Sequence, residues 1–314
     1  MRPGRPASRG RAQAGVAAVT AILIVAVAAA AASLMLAQQS AMLDQTILVS
    51  SRAQADVYAQ AGLDWARGVL LQDGKTSSTD TLEEGWARPI AGMPVERAVV
   101  AGDIADEQAK FNLNNVIDRE ARSEPDIKQL KQLLALLELS PELADAVVDW
   151  IDRNDDLTSA AGAENGYYLG LGRPYRAANA PMMQVDELYR VRGFDAKSIA
   201  RLRPFVTALP ERTAINVNTA SEVVVAAAFG VPREKAAELL ADRRLKPFAD
   251  KAAFVDRAQR AGLIPVNDFD VKSGWFFVRI QVTQDDVRVA TESLLKREAA
   301  PRGTTAIIWR RPRY

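Results

Sequence analysis

Gly15 is followed by VAAVTAILIVAVAAAAASLMLA (Val16–Ala37), 22 residues interrupted only by Thr20 and Ser33. As a helix rising about 1.5 Å per residue this run measures roughly 33 Å, enough to cross a hydrocarbon core of about 30 Å. The leader before it carries Arg2, Arg5, Arg9 and Arg11, and no acidic residue precedes Asp44. Arginines on one flank alone place the leader in the cytoplasm and the rest of the chain on the far side of the membrane. The sequence therefore predicts a single-pass protein with a leader over 1–15 and a transmembrane helix over 16–37. A cleaved secretory signal would use the small residues of the alanine run, but the apolar stretch outlasts the roughly 7–15-residue core of such signals. A plain anchor is the second reading. The third is cleavage on the cytoplasmic side, between Gly15 and Val16.

The segment beyond the apolar run favours the third reading. From Gln38 to about Gln72 there is no proline, and only Gly62 and Gly68 weaken a helix. Leu43, Ile47, Tyr58, Ala61, Trp65 and Val69 fit one helical stripe, which is expected to pack on a globular head. One long helix, membrane half first, carrying a head resembles the plan of type IV pilins and type II secretion pseudopilins, and the Gly15–Val16 junction resembles their processing site. Most such subunits carry Glu at the fifth mature position, where it pairs with a neighbour's N-terminal amine. Here the fifth residue is Thr20. A threonine cannot neutralise an ammonium in hydrocarbon, so this subunit suits the end of a fibre rather than its middle.

Composition narrows the function. With 314 residues, 48% apolar and 25% charged, the chain can bury a sizeable core and is expected to split into two units. A net charge of +1 argues against a strongly basic nucleic-acid surface. The chain contains no cysteine and no histidine, which removes thiolate and imidazole metal ligands and the commonest general base. An assembly subunit is expected rather than an enzyme.

Beyond the helix a theme recurs. Phe111-Asn-Leu-Asn-Asn-Val116 parallels Ile215-Asn-Val-Asn-Thr-Ala220, and each precedes two helical stretches separated by a turn, Leu139-Ser-Pro141 in the first copy and Gly230-Val-Pro232 in the second. Asn and Thr cap helices well, and Pro suits a first turn. A looser third unit runs from Val185 through Gly193 to Pro204. The pattern resembles helix-hairpin-helix modules of membrane-tethered DNA-uptake proteins. Those hairpins hold two glycines for phosphate approach, whereas here only Gly230 is available and Glu142 repels phosphate. The pairs are read as structural, and no nucleic acid is expected.

Asp106-Glu-Gln-Ala-Lys-Phe-Asn-Leu-Asn-Asn115, Asp149-Trp-Ile-Asp152, Gly162-Ala-Glu164, Arg173-Pro-Tyr-Arg-Ala-Ala-Asn179 and Ile215-Asn-Val-Asn-Thr-Ala220, together with Gly15–Val16 and Thr20, resemble the K-subunit family of the type II secretion pseudopilus. The resemblance implies an α+β fold: a pilin-like long N-terminal helix and an antiparallel sheet head, with a large inserted helical domain. The chain is accordingly divided into the long helix and first part of the head (38–118), the insertion (119–210), and a second helical pair with the C-terminal strands of the head (211–314). The residues agree. Arg97–Ile104 reads as a strand, and Trp275–Thr283, Val287–Leu295 and Thr304–Arg310 read as an antiparallel meander. The family also implies a place at the fibre tip beside the I and J minor pseudopilins. It implies the major pseudopilin, the prepilin peptidase and the inner-membrane assembly platform as further partners, and a cytoplasmic N-terminus with a periplasmic head.

The most chemically loaded stretch is Asp149-Trp-Ile-Asp-Arg-Asn-Asp-Asp156 with Gly162-Ala-Glu-Asn165. Asp149 and Asp152 lie three apart on one helix face. Asp152, Asn154 and Asp156 alternate like an oxygen-donor calcium loop, and Glu164 and Asn165 are placed to close it. Hard oxygen donors without His or Cys favour calcium. A solvated acidic loop is the alternative reading of the spacing, and the family resemblance implies calcium. The expected function is a tip subunit that nucleates the fibre with I and J, limits its length and supports export of folded proteins across the outer membrane. The alternative is a membrane-tethered helix-hairpin-helix protein handling DNA.

Overall fold

The computed structural model describes residues 10–298 and 303–313; residues 1–9, most of the expected leader, lie outside them. Helix α1 runs unbroken from Gly10 to Thr76, about 100 Å at 1.5 Å per residue. Every residue from Val16 to Ala37 is exposed. This segment is long and apolar enough to cross a membrane. Thr20 Oγ1 donates to Val16 O at 3.0 Å and Ala17 O at 2.9 Å, which satisfies the hydroxyl within its own helix.

After α1 come β1 (Ile90–Val95) and β2 (Ala98–Asp106), a hairpin at the edge of the main sheet. The chain then leaves that sheet through β3 (Phe111–Asn112), β4 (Ile117–Asp118), β5 (Ala121–Arg122), α2 (Glu124–Leu136), α3 (Leu143–Ile151), α4 (Asn165–Tyr168), α5 (Ala196–Leu202) and β6 (Val206–Thr207). A second excursion runs through β7 (Ile215–Asn216), α6 (Glu222–Phe229), α7 (Arg233–Leu240), α8 (Lys251–Arg260) and β8 (Phe269–Asp270). The chain returns as β9 (Trp275–Gln284), β10 (Val287–Arg297) and β11 (Thr305–Pro312). The sheet order is β1-β2-β9-β10-β11, antiparallel throughout. The fold is thus the expected α+β arrangement. The divisions drawn from sequence at 118/119 and 210/211 differ from the points where the sheet is left and rejoined. Asp106 pairs with Phe276, so everything between them, α6 to α8 included, departs from the sheet. Strand β1 and helix α8 are additions to the sequence reading.

The sheet buries one face on α1. Ala55, Ala59, Leu63, Ala66 and Leu70 pack against Val278, Ile280, Val282 and Leu295. Each fully buried leucine there contributes about 1.5–3 kcal/mol of transfer free energy. The stripe expected to make this contact faces elsewhere: Leu43, Ile47 and Trp65 are 63%, 56% and 50% exposed, Ala61 is exposed, and only Tyr58 and Val69 reach the margin of the core. Alanines let a helix lie close on a sheet, whereas Leu43, Ile47 and Trp65 of the bulkier stripe are left outward. Both sheet edges are blunted against strand addition. The register shifts between Ile90 and Met93 in β1, which also holds Pro94, and between Leu294 and Leu295 opposite β11, which holds Arg310 and Arg311.

The repeated asparagine theme is a repeated structure. Asn112 Oδ1 accepts from Asn114 N at 3.2 Å, and Asn216 Oδ1 accepts from Asn218 N at 2.9 Å. Asn114 clamps Met182 through both its backbone groups, Nδ2 to O at 2.9 Å and N to Oδ1 at 2.8 Å. Asn218 clamps Phe248 in the same way, at 2.9 Å for both bonds. Each unit closes with a parallel pair, Phe111 to Val206 and Ile215 to Phe269. The clamp spans 68 residues in the first unit and 30 in the second. Most of the surplus is the loop-rich stretch 152–181, which holds the acidic segment that the sequence reads as a loop within the helical insertion.

A buried polar junction joins the parts. Arg297, its side chain 4% exposed, lies 2.7 Å from Asp73 Oδ2 and 2.5 Å from Asp80 Oδ2, the latter side chain wholly buried. Asp106 Oδ2 accepts from Thr219 Oγ1 and Ser273 Oγ at 2.6 Å and from Asn216 Nδ2 at 3.1 Å. Burial pushes the Asp106 carboxyl up to about 6 against the pull of these hydrogen bonds. Replacing Arg297 with methionine strands the Asp80 carboxylate, and a loss of about 3–5 kcal/mol is expected, read by urea unfolding of the full chain in detergent. Less than about 1 kcal/mol, the range of an exposed pair, would contradict this reading of the junction.

Candidate functional site

Helix α3 ends at Asp152, whose backbone turns extended (φ −68°, ψ 163°) while its N–H still bonds Val148 O. The loop beyond it folds back so that Glu164, also extended, faces the helix end. One carboxylate oxygen from each of Asp149, Asp152 and Glu164 lies within 4.8 Å of the other two. The three residues are only 0%, 2% and 5% exposed. Arg122, on β5, stands 3.0 Å from Asp152 Oδ2 and 3.7 Å from Asp149 Oδ1. Thr158 donates to Asp149 Oδ1 through its N–H at 2.9 Å and through its hydroxyl. Gly162 makes the close approach possible, because a Cβ there would stand 1.9 Å from Asp149 Oδ2.

Charge is unbalanced in this pocket. Three carboxylates face one guanidinium, and Asp149 Oδ2, Asp152 Oδ1 and both Glu164 oxygens are buried without a hydrogen-bond partner. Buried unpaired carboxylates are costly. Burial, and after it Asp149, Asp152 and Asp155, pushes the Glu164 carboxyl up to about 8. Burial also raises Asp152, against Arg122. Either a proton or a cation relieves such a site, and an all-oxygen donor set suits a hard divalent ion.

The rest of the expected ligand set is not assembled with these three. Asn154 and Asp156 are exposed, and Asn154 Oδ1 accepts from Asp156 N at 2.7 Å, an Asx turn. Asn165 is engaged at both ends, Nδ2 to Asp155 Oδ1 at 2.8 Å and Oδ1 from Ala177 N at 3.2 Å. The alternation of 152, 154 and 156 belongs to a turn and not to one concavity. Sequence reasoning missed Arg122 and Thr158, which carry no motif and arrive from other parts of the chain. A second carboxylate group, Asp73, Asp80 and Glu84, is accounted for internally. Arg297 takes the two aspartates, while Thr81 N–H and the Trp86 indole donate to Glu84 at 2.9 and 2.8 Å.

Two family models, both described as type II secretion system (T2SS), protein K, match residues 109–211 and 215–273. The type II secretion system protein K of Aeromonas hydrophila is 34% identical over 311 residues, covering 91% of this chain and 94% of its own. That of Pseudomonas aeruginosa is 34% identical over 301 residues, covering 91% and 90%. The chain belongs to the type II secretion system protein K family. A chain in the crystal structure of the GspK-GspI-GspJ complex from the enterotoxigenic Escherichia coli type 2 secretion system aligns with a TM-score of 0.74 at 25% identity, over 86% of this chain and 99% of that one. As a K-family member the protein is a minor pseudopilin, a structural component of that secretion system, and the DNA-handling alternative is not favoured. The two matched segments meet at 211–215, where the first asparagine unit ends and the second begins.

In the K-family pocket, Gly162→Ala drives a methyl into Asp149 and is expected to destabilise the protein by about 1–3 kcal/mol. Thermal unfolding measures this. Gly166→Ala, at a position with nothing within 4 Å of the new Cβ, is the control and should lie near wild type.

Proposed function

We propose that the mature chain begins at Val16 after the prepilin peptidase cuts behind Gly15. It is held in the inner membrane with its N-terminus cytoplasmic and its head periplasmic, and it forms the tip of the pseudopilus. There it nucleates the fibre with the I and J minor pseudopilins, ahead of the major pseudopilin and on the inner-membrane assembly platform. The carrying observation is α1 itself: one helix from Gly10 to Thr76 whose outward Leu43, Ile47 and Trp65 are left exposed by the described residues. A second chain anchored by the same kind of helix runs parallel to it, and Leu43, Ile47 and Trp65 face that neighbour. Thr20, satisfied by its own helix backbone, offers no carboxylate to a following subunit's amine. With the bulky helical excursion above the sheet, this limits fibre length from the top, and the capped fibre supports export of folded proteins across the outer membrane.

Calcium completes the head. Asp149, Asp152 and Glu164 are the side chains that would hold it, and the ion supplies charge balance to oxygens that otherwise repel. Its place explains its use. Asp149 and Asp152 stand where the long loop of the first asparagine unit begins and Glu164 stands within it, in a segment the second unit lacks, so one ion would tie a stretch poor in regular structure to the end of α3. The proposed contributions are structural, and no catalytic step is assigned.

Intact mass of the protein from cells with and without the prepilin peptidase tests the assembly reading. A peptidase-dependent start at Val16, N-methylated by family habit, is the expected result; an intact Met1 or a cut in the alanine run would remove the pseudopilin assignment of the junction. For the ion, calcium at about 100 times its dissociation constant should stabilise the protein by about 2.7 kcal/mol. Chelator should reverse the shift, and Glu164→Gln should weaken it. Equal melting temperatures with calcium and with chelator would sink the metal proposal.

A further inference from the structure

The sheet face away from α1 is organised in rows across its strands. One row is charged with alternating sign: Asp103 on β2 opposes Arg279 on β9, which opposes Glu292 on β10, which opposes Arg311 on β11. The next row is apolar, Ala105 opposite Phe277 opposite Leu294 opposite Trp309. Phe277 and Trp309 meet edge-on with centroids 5.8 Å apart and are both half-exposed. Where this row meets the first helical unit it floors a cleft of about 350 Å³, and Met183, 81% exposed, stands on the opposite wall.

The freely solvated face of an antiparallel sheet carries polar side chains, and the charged row fits that description. The apolar row does not: Leu294 is buried with Leu209 and Trp275, but the aromatics Phe277 and Trp309 stay half-exposed beside a concavity that none of the described residues fills. Charge in the cleft is also uneven. Lys110 pairs with Glu107, Arg203 with Asp186, and Arg279 with Asp103 beside the cleft. Arg311 and Arg313 are left to share Glu292, at 3.0 and 3.6 Å. Arg311 is held by Glu292 at 3.0 and 3.1 Å and by Gln184 at 2.6 Å, so among the described residues the cation in excess is Arg313, at the end where Arg311 stacks over Trp309 at 5.0 Å. The apolar and cationic rows are two residues apart along each strand, about 7 Å at strand rise.

We infer that this cleft is a docking site for an extended segment of another protein, with an aromatic or long aliphatic side chain at one position and a carboxylate two residues on. The anchor covers Phe277 and Trp309, and the carboxylate takes Arg313, which reaches Glu292 only at 3.6 Å, beside the Arg311 guanidinium. Affinity comes from covering the aromatics, and orientation from the charge. The inference is independent of tip assembly and of calcium, because none of its residues lies on α1's outward face or in the loop between Asp152 and Pro181.

The test uses the full chain in detergent micelles and two labelled peptides read by fluorescence anisotropy. One peptide carries Trp-Gly-Glu between glycine-serine flanks, and the other carries Trp-Gly-Lys. The acidic peptide is expected to bind at least about tenfold more tightly than the basic one, and more weakly as salt rises. The pair R311E/R313E should abolish that preference. Trp309→Ala should weaken binding of the acidic peptide by about tenfold or more. Met183→Arg, at a side chain too exposed to affect folding, should also change its affinity and serves where a cleft variant fails to fold. Absence of binding, equal binding of the two peptides, or binding indifferent to all three variants would overturn the proposal.

Discussion

The guanidinium of Arg297 lies between Asp73, near the end of α1, and Asp80, just beyond it, and one nitrogen also donates to Ser273 O at 2.7 Å. Asp106, at the end of β2, holds Ser273, Asn216 and Thr219 within hydrogen-bond distance. The end of the long helix, the point where the chain leaves the sheet and the point where it returns are therefore tied at one buried place. Ion pairs so deep rarely add net stability over an apolar packing, but they are severe about partners. Any other arrangement of α1, β2 and β10 would leave a carboxylate or the guanidinium buried and unpaired.

That junction explains how a sheet of five strands carries so large an excursion. β2 and β9 are hydrogen-bonded neighbours although about 170 residues separate them, and closing such a loop carries an entropic cost that grows only slowly with its length. The excursion has its own cores, around Leu130, Leu133 and Trp150 in the first unit and around Val225, Phe254 and Phe269 in the second. Each unit is sealed by an asparagine clamp and a parallel strand pair, so the sheet need only anchor the two ends. The long loop of the first unit is the part with least regular structure, and the Asp149–Asp152–Glu164 pocket joins it to the end of α3.

The distribution of apolar surface is consistent with a subunit built for a neighbour. The helix gives its alanine-rich face to its own sheet and keeps Leu43, Ile47 and Trp65 outward, while both sheet edges are interrupted by register shifts, proline or arginine. Lateral association by strand pairing is thereby disfavoured, and association along the helix is left open.

Local pattern was enough for several conclusions. A 22-residue run interrupted only by Thr20 and Ser33, behind four arginines, specifies a membrane-length helix, the absence of proline from there to Thr76 lets it continue, and the paired Asn motifs announce two related units whose clamps the structure displays. Each of these is set by spacing along the chain. The face of α1 that meets the sheet is not. Periodicity ranks Trp and Ile above Ala, but close packing on a pleated surface selects alanine. Nor did spacing settle the composition of the carboxylate pocket. Asp149 and Asp152 were legible from helix spacing and Glu164 from its loop, but Asn154 and Asp156 form an Asx turn, Asn165 bonds Asp155 and Ala177, and Arg122 enters from another segment. Burial and unpaired oxygens arise only when distant segments converge, and that convergence, not the spacing of acidic residues, separates a buried carboxylate pocket from a solvated loop.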